Sequence, residues 1–143
     1  MKSPTISVII TTYNQPEWLR KTLLGYQYQT FDSFEIVIAD DGSDDRTKTV
    51  IEQFKTQTAL RIIHVWHEDK GFQKTTILNK AILVSNADYL IFTDGDCIPR
   101  NDFVAVHHEK RTPNSFLSGG YFKLPKTISD LITESDIKTQ ACF

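Results

Sequence analysis

Apolar runs and helix-period segments alternate along the chain. The run Ile6-Ser7-Val8-Ile9-Ile10 is β-branched and ends at Thr11-Thr12, which predicts a first strand. Asn14 stands where a helix N-cap belongs, and Pro16 falls in the first turn after it. Leu19, Leu23 and Tyr26 then recur at spacings of four and three, one face of a helix. Phe34 to Ala39 is a second apolar run, stopped by Asp40-Asp41-Gly42-Ser43. Ser43 or Asp44 is placed to cap a second helix, whose buried stripe is Val50, Ile51 and Phe54. Arg61 to Trp66 predicts a third strand, and Ile77, Leu78, Ala81 and Ile82 mark a third helix. Asp88 to Thr93 predicts a fourth strand, ending at Asp94-Gly95-Asp96. Asn101 or Asp102 starts a fourth helix carrying Phe103, Val104 and Val106, and Phe116 to Phe122 reads as a fifth strand.

Strands and helices in strict alternation predict an open, mainly parallel α/β sheet with helices on both faces, Rossmann-like in layout. The run Glu35-Ile36-Val37-Ile38-Ala39 has little polar alternation, as a strand covered on both faces requires. Ligands of such sheets sit beyond the carboxyl ends of the strands. The segments to examine are therefore Thr11 to Asn14, Asp40 to Asp44, His67 to Lys74, and Asp94 to Arg100. The last three are rich in charge.

Composition narrows the possibilities. The 143 residues suffice for one domain with a real core. With 40% hydrophobic and 24% charged residues the chain is globular, not disordered. A formal net charge of −2 gives no electrostatic footprint for nucleic acid. No apolar run approaches the length of a membrane helix, and Met1 to Thr5 do not read as a signal peptide. Cys97 and Cys142 form no metal or redox spacing. Together these predict a protein of the reducing cytoplasm.

Four constellations carry candidate chemistry. Asp94-Gly95-Asp96 follows the apolar strand Tyr89-Leu90-Ile91-Phe92-Thr93, so a buried element delivers two carboxylates to the sheet edge. Two neighbouring carboxylates repel unless a cation or proton intervenes. A hard divalent ion, Mg²⁺ or Mn²⁺, resolves that repulsion and commonly adds a substrate's phosphates as ligands. The plainer account is a solvated turn. Asp40-Asp41-Gly42-Ser43 offers carboxylates to the N–H groups of a base or the hydroxyls of a ribose; its plainer account is a turn and an N-cap. Thr11-Thr12-Tyr13-Asn14 brings a hydroxyl and a ring able to stack on a nucleobase, or to pack and cap. The loop His67 to Lys74 leads into a helix, where Lys74 and the free N–H groups suit a phosphate, or simply face water. Asn79 is a poor helix former in mid-helix and faces either the cleft or solvent.

Other chemistries lack their signatures. There is no G-x-G-x-x-G after the first strand, no G-x-x-x-x-G-K-[ST] and no G-x-S-x-G elbow. His107 and His108 are adjacent and so face different sides of a helix, which argues against a two-histidine metal site.

The segments Ser7 to Asn14, Gln29-Thr30-Phe31, Phe34 to Ser43, Gly71 to Ile82 and Tyr89 to Asp96, in that order, resemble the nucleotide-sugar-binding part of an inverting glycosyltransferase of family two, with the GT-A fold. The resemblance runs from residue 4 to residue 110. Asp69-Lys70-Gly71-Phe72-Gln73, Ile77-Leu78-Asn79-Lys80-Ala81-Ile82 and Asp94 to Pro99 look most like the bacterial branch of chondroitin-type and galactosyl-type transferases. The resemblance implies that Thr11 and Tyr13 line a uracil pocket and that Asp41, with Asp40 beside it, binds the base. It places Lys74 and Asn79 in the helix that closes on the donor. Asp94, with Gly95, contacts the ribose or the metal, and Asp96 holds the Mn²⁺ or Mg²⁺ that bridges the donor's phosphates. The family's usual Arg before Asn79 is Leu78 here, so its role does not carry over, and Lys74 or Lys80 is the available replacement.

The implied activity is metal-dependent transfer of a sugar from a UDP-sugar to a saccharide or lipid-linked acceptor, with inversion. The implied setting is the cytoplasm, with room for peripheral association at the inner face of the membrane. Residues 1–110 are expected to form the donor-binding domain, and 111–143 the beginning of an acceptor-side region that stops early. An inverting enzyme needs a general base on the far side of the sugar. The acids of Asp130 to Asp136 do not resemble the family's base segment and are expected to decorate a surface helix. The competing readings are a module that binds a nucleotide sugar without turnover, and an unrelated α/β metal enzyme such as a phosphohydrolase.

Overall fold

The computed structural model describes residues 3–143. The elements run β1 (Ile6–Thr12), α1 (Pro16–Gln27), β2 (Phe34–Asp40), α2 (Asp45–Gln57), β3 (Ile62–Trp66), α3 (Lys74–Val84), β4 (Tyr89–Asp94), α4 (Phe103–Lys110), α5 (Lys126–Leu131) and α6 (Glu134–Thr139). The four strands form one sheet in the order β3-β2-β1-β4, and every pairing is parallel. From β1 the chain steps outward to β2 and β3, then crosses back to place β4 on the other side of β1. The direction of winding therefore reverses between β1 and β4, and the two strand ends part there to leave a crevice.

Helices cover both faces, as the apolar runs predict. Ile6, Val8 and Ile10 of β1 and Ile36 and Ile38 of β2 pack on Leu19 and Leu23 of α1 and on Val50, Ile51 and Phe54 of α2. The alternate residues Ile9, Val37 and Ala39 pack on Ile77 and Ala81 of α3. Burial of each such aliphatic side chain is worth about 1.5–3 kcal/mol. Every residue of the inner strand β2 is buried. That includes Glu35, whose carboxylate accepts the Ser7 hydroxyl at 2.7 Å and the Asn86 backbone and side-chain N–H groups at 2.7 and 3.0 Å. The amino edge of the sheet is thereby closed, and the carboxyl edge is the one left open to a ligand.

Two local expectations are corrected. No fifth strand forms: residues 112–125 carry no helix or strand and lie exposed. Phe116, Tyr121 and Phe122 are 88%, 82% and 94% accessible, so the apolar run has no face to bury against, and Gly119-Gly120 weakens it as a strand. Asn14 does not cap α1. It takes a left-handed backbone, φ 49°, and its side-chain oxygen accepts the Asp44 N–H at 2.9 Å, which ties the β1–α1 loop to the start of α2. Gln15 is the residue at that helix end, without a side-chain cap, and Pro16 removes one N–H that would otherwise need one. Asp44, as expected, caps α2.

The acids of 130–136 divide between α5 and α6. Asp136 closes a capping box with Thr133, and Ile137 of the same short helix is fully buried, so α6 docks by its apolar side while Asp130 and Glu134 stay exposed, as expected. Lys21 of α1 reaches the Ser129 carbonyl of α5 at 2.8 Å. No helix among the described residues is long and apolar enough to cross a membrane.

Candidate active site

A cavity of about 290 Å³ opens at the carboxyl edge of the sheet. Thr11, Thr12 and Tyr13 enter it from the end of β1, Asp41 from the end of β2, and Gly71, Phe72, Lys74 and Ile77 from the β3–α3 loop and α3. Parallel strands end together, so three loops separated in sequence meet at one rim.

Asp94, the last residue of β4, stands at the switch point. Thr11 donates its hydroxyl to Asp94 Oδ1 at 2.6 Å, and the Lys74 ammonium donates to the same oxygen at 2.7 Å. The Lys74 contact first, and the Thr11 hydroxyl second, hold the carboxyl below its ordinary range. Gly95 follows against the backbone of β1: its N–H donates to the Thr11 carbonyl at 2.8 Å, and its own carbonyl accepts the Thr22 hydroxyl at 2.9 Å. A Cβ at this position would lie 2.9 Å from the Thr11 carbonyl oxygen, so a side chain would push the two strand ends apart. Asp96 lies exposed on the turn just past this contact.

Asp41 is held on both oxygens. His67 Nε2 lies 2.6 Å from Oδ1, and the Gln73 backbone N–H donates to Oδ2 at 2.9 Å. The side chains of the pair are only 10% and 9% exposed. A carboxylate only accepts, so the ring proton sits on Nε2; Nδ1 then faces the Lys80 ammonium at 3.5 Å as an acceptor. The β2–α2 loop is pressed on the next loop as well. Gly42 has φ +94°, and a Cβ there would fall 2.6 Å from the Asp69 Cα, so only glycine fits without a shift. Asp69 accepts the Gly71 N–H at 3.0 Å and the Tyr13 hydroxyl at 2.9 Å. That second bond, foremost, pushes the Tyr13 phenol up.

Thr11, Tyr13, Asp41 and Lys74 are thus brought to one cavity, and Asp94 is bonded to two of them. Asp40 is not part of it. It shares the face of Ile38 toward α1 and α2, is 1% exposed, and bonds His64 Nε2 at 2.9 Å and the Ser43 N–H at 2.9 Å. Asn79 is exposed on α3 and outside the cavity lining. The site also contains His67, Asp69, Phe72 and the Gln73 N–H, which the sequence motifs place in a candidate loop without giving them roles of their own. The register could have found the first. Asp40 pairs with Trp66, so Asp41 and His67 are the next neighbours along two parallel strands.

Among the described residues no group of three or more His, Cys, Asp or Glu side chains could hold a metal ion. Asp94 and Asp96 present only oxygen ligands, which suits a hard divalent ion that takes its remaining ligands from phosphate and water. Asp94 and Asp96 would supply at most part of such an ion's ligands, the rest coming from phosphate and water.

An all-parallel sheet of this order, with an acidic crevice at its switch point, defines a domain of the GT-A glycosyltransferase class. Residues 7–110 match the profile of glycosyl transferase family 2, and the chain belongs to that family. It is 37% identical over 93 residues to validoxylamine A glucosyltransferase of Streptomyces hygroscopicus, a match covering 64% of this chain and 22% of that protein. It superposes with TM-score 0.61 and 25% identity on Staphylococcus aureus TarS 1-349 in complex with UDP, covering 73% of this chain and 32% of that one. A mannosyltransferase from Pyrobaculum calidifontis in complex with GDP-Man and Mn²⁺ superposes with TM-score 0.61 at 24% identity, again over 73% of this chain and 31% of that one. The chain spans about a fifth of the length of the glucosyltransferase and about a third of the two solved chains.

Proposed function

We propose that residues 1–110 bind the nucleoside diphosphate of a UDP-sugar in this crevice, as the donor half of an inverting, metal-dependent glycosyltransferase. The observation that carries the reading is the joining of Asp94, Thr11 and Lys74 at the switch point, on a cavity that also holds Asp41. Asp41 is a fixed acceptor for an N–H of the base, and Tyr13 supplies a ring beside it. Lys74 at the start of α3, with the helix's free N–H groups, faces the diphosphate. Asp94 and Asp96 are the residues that would hold Mn²⁺ or Mg²⁺. Such an ion offsets the charge that builds on the leaving diphosphate. The UDP complex of the staphylococcal neighbour supports the choice of base, and the Mn²⁺ of the archaeal neighbour supports the ion. The loop from Asp69 to Gln73 supports the chondroitin- and galactosyl-type branch, and with it a saccharide or lipid-linked acceptor.

The general base belongs to an acceptor-binding part that residues 111–143 begin. The acids of α5 and α6 are engaged elsewhere: Asp130 with Lys126, Asp136 in its capping box, and Glu134 with the Tyr28 hydroxyl. Calorimetry with UDP tests the donor reading. UDP binds with Mn²⁺ present, Asp41→Ala lowers the affinity about tenfold or more, as loss of a charged hydrogen bond does, and Asp96→Ala removes the metal dependence. Equal heats with and without Mn²⁺ in the wild type would sink the metal's role.

A further inference from the structure

The lysine that faces the crevice is already engaged. Lys74 and Asp94 stand 20 residues apart in sequence and meet because α3 begins where β4 ends. Their ammonium and carboxylate lie 2.7 Å apart with 40% and 56% of the side chains exposed, so the pair sits at the cavity mouth within reach of solvent. The Thr11 hydroxyl holds the same Oδ1 in place. Asp94 is therefore neutralised by a tethered cation before any ligand arrives.

A divalent ion approaching Asp94 meets that ammonium at ligand distance, and two cations at one oxygen repel. Lys74 and Thr11 both hold Oδ1, so an ion that reaches Oδ2 still lies beside the ammonium, and it binds Asp94 more tightly once Lys74 leaves. A diphosphate changes the balance, because its negative charges accommodate both cations at once. Lys74 has a flexible four-carbon stem and occupies the first turn of α3, so its departure requires side-chain rotation and no break in the helix. The Thr11 hydroxyl remains to orient Asp94 throughout.

We propose that Lys74 is an exchangeable counter-cation. It holds Asp94 in the empty crevice and passes to the donor's diphosphate when a divalent ion takes its place. The inference rests on the donor reading above and adds an order to it: metal alone is resisted, nucleotide alone is admitted through Lys74, and the two together bind cooperatively. Linkage requires each ligand to raise the other's affinity by the same factor.

The test compares the wild-type chain with Lys74→Met, which keeps the stem and helix propensity but removes the charge, and Lys74→Arg, which keeps the charge. Free Mn²⁺ is followed by electron paramagnetic resonance without nucleotide. UDP binding is followed by calorimetry, once in EDTA and once with Mn²⁺. In Lys74→Met, Mn²⁺ alone binds about fivefold tighter and UDP in EDTA about fivefold weaker, the size of a partly exposed ion pair. Lys74→Arg gains no Mn²⁺ affinity. These two shifts are opposite in sign, which a general loosening of the site would not produce. Wild-type UDP binding with unchanged or weakened Mn²⁺ affinity in Lys74→Met overturns the exchange and leaves the donor reading standing. Absence of UDP binding to the wild type in both arms overturns the donor reading and the exchange with it.

Discussion

His67 shows how a carboxylate at a strand end is fixed in one position. An aspartate at the end of a strand is ordinarily free to choose rotamers. Asp41 is not, because His67 Nε2 and the Gln73 N–H each take one of its oxygens. Removing the imidazole leaves a nearly buried carboxylate oxygen without its partner, which costs about 1–3 kcal/mol. His67→Ala is expected to lose stability of that order in denaturant unfolding and to weaken UDP binding about tenfold. His67→Gln, able to donate from a similar position, recovers part of both. If His67 only stabilised the fold, the weakening of UDP would not survive at temperatures where the variant is fully folded. Asp41 and Asp94 were legible in the sequence because each follows a run of strand residues and so must emerge at the carboxyl edge. His67 was not, because its importance depends on which strand lies beside β2. Asp40 illustrates the converse: adjacent to Asp41 in sequence, it points to the opposite face, as the two-residue period of a strand requires.

At the scale of elements, the alternating pattern located four strands and four helices, and it failed where an apolar run had nothing to pack on. Phe116 to Phe122 reads as a strand by composition, but pairing needs a free sheet edge and a face to bury, and the segment reaches neither. The docking of α4 carries a pH dependence that composition does not reveal. His107 on that helix is hydrogen-bonded through Nδ1 to the Tyr89 hydroxyl of β4 at 3.1 Å and lies edge-on to Phe103, with ring centroids 4.9 Å apart. Burial pulls its pKa below the ordinary value of 6.5. The folded state thus keeps the ring neutral while the unfolded chain takes up the proton. Stability from this group is complete above pH 6.5 and is lost as pH falls from there toward the lower folded value. Unfolding followed between pH 8 and pH 5 should show wild-type stability falling on the acid side. His107→Phe should flatten that decline, and an unchanged pH slope in the variant would remove His107 as its cause.

At the scale of the molecule, the strand order decides what the motifs can do. Four strand ends in sequence are only candidates; the order β3-β2-β1-β4 puts the reversal between β1 and β4 and so brings Thr11 to Asp94, with Lys74 arriving from the helix between β3 and β4. No local pattern specifies that order, although the rule that ligands bind at strand carboxyl ends selects the three loops that line the cavity. The same geometry bears on catalysis. Thr11, Asp41, Lys74 and Asp94 converge at the crevice, whereas Asp130 pairs with Lys126 of its own helix, Asp136 with its N-cap Thr133, and Glu134 with the Tyr28 hydroxyl. Transfer with inversion needs a base placed across the sugar from the leaving diphosphate. This chain, mixed with a UDP-sugar, Mn²⁺ and saccharide acceptors, is therefore expected to bind donor while forming product at least about a hundredfold more slowly than a transferase with its base in place, the usual contribution of such a group. Product measured by release of UDP against a no-acceptor control decides it. Rapid acceptor-dependent release would locate a working base within residues 97–143, with Asp130 and Glu134 the first to replace.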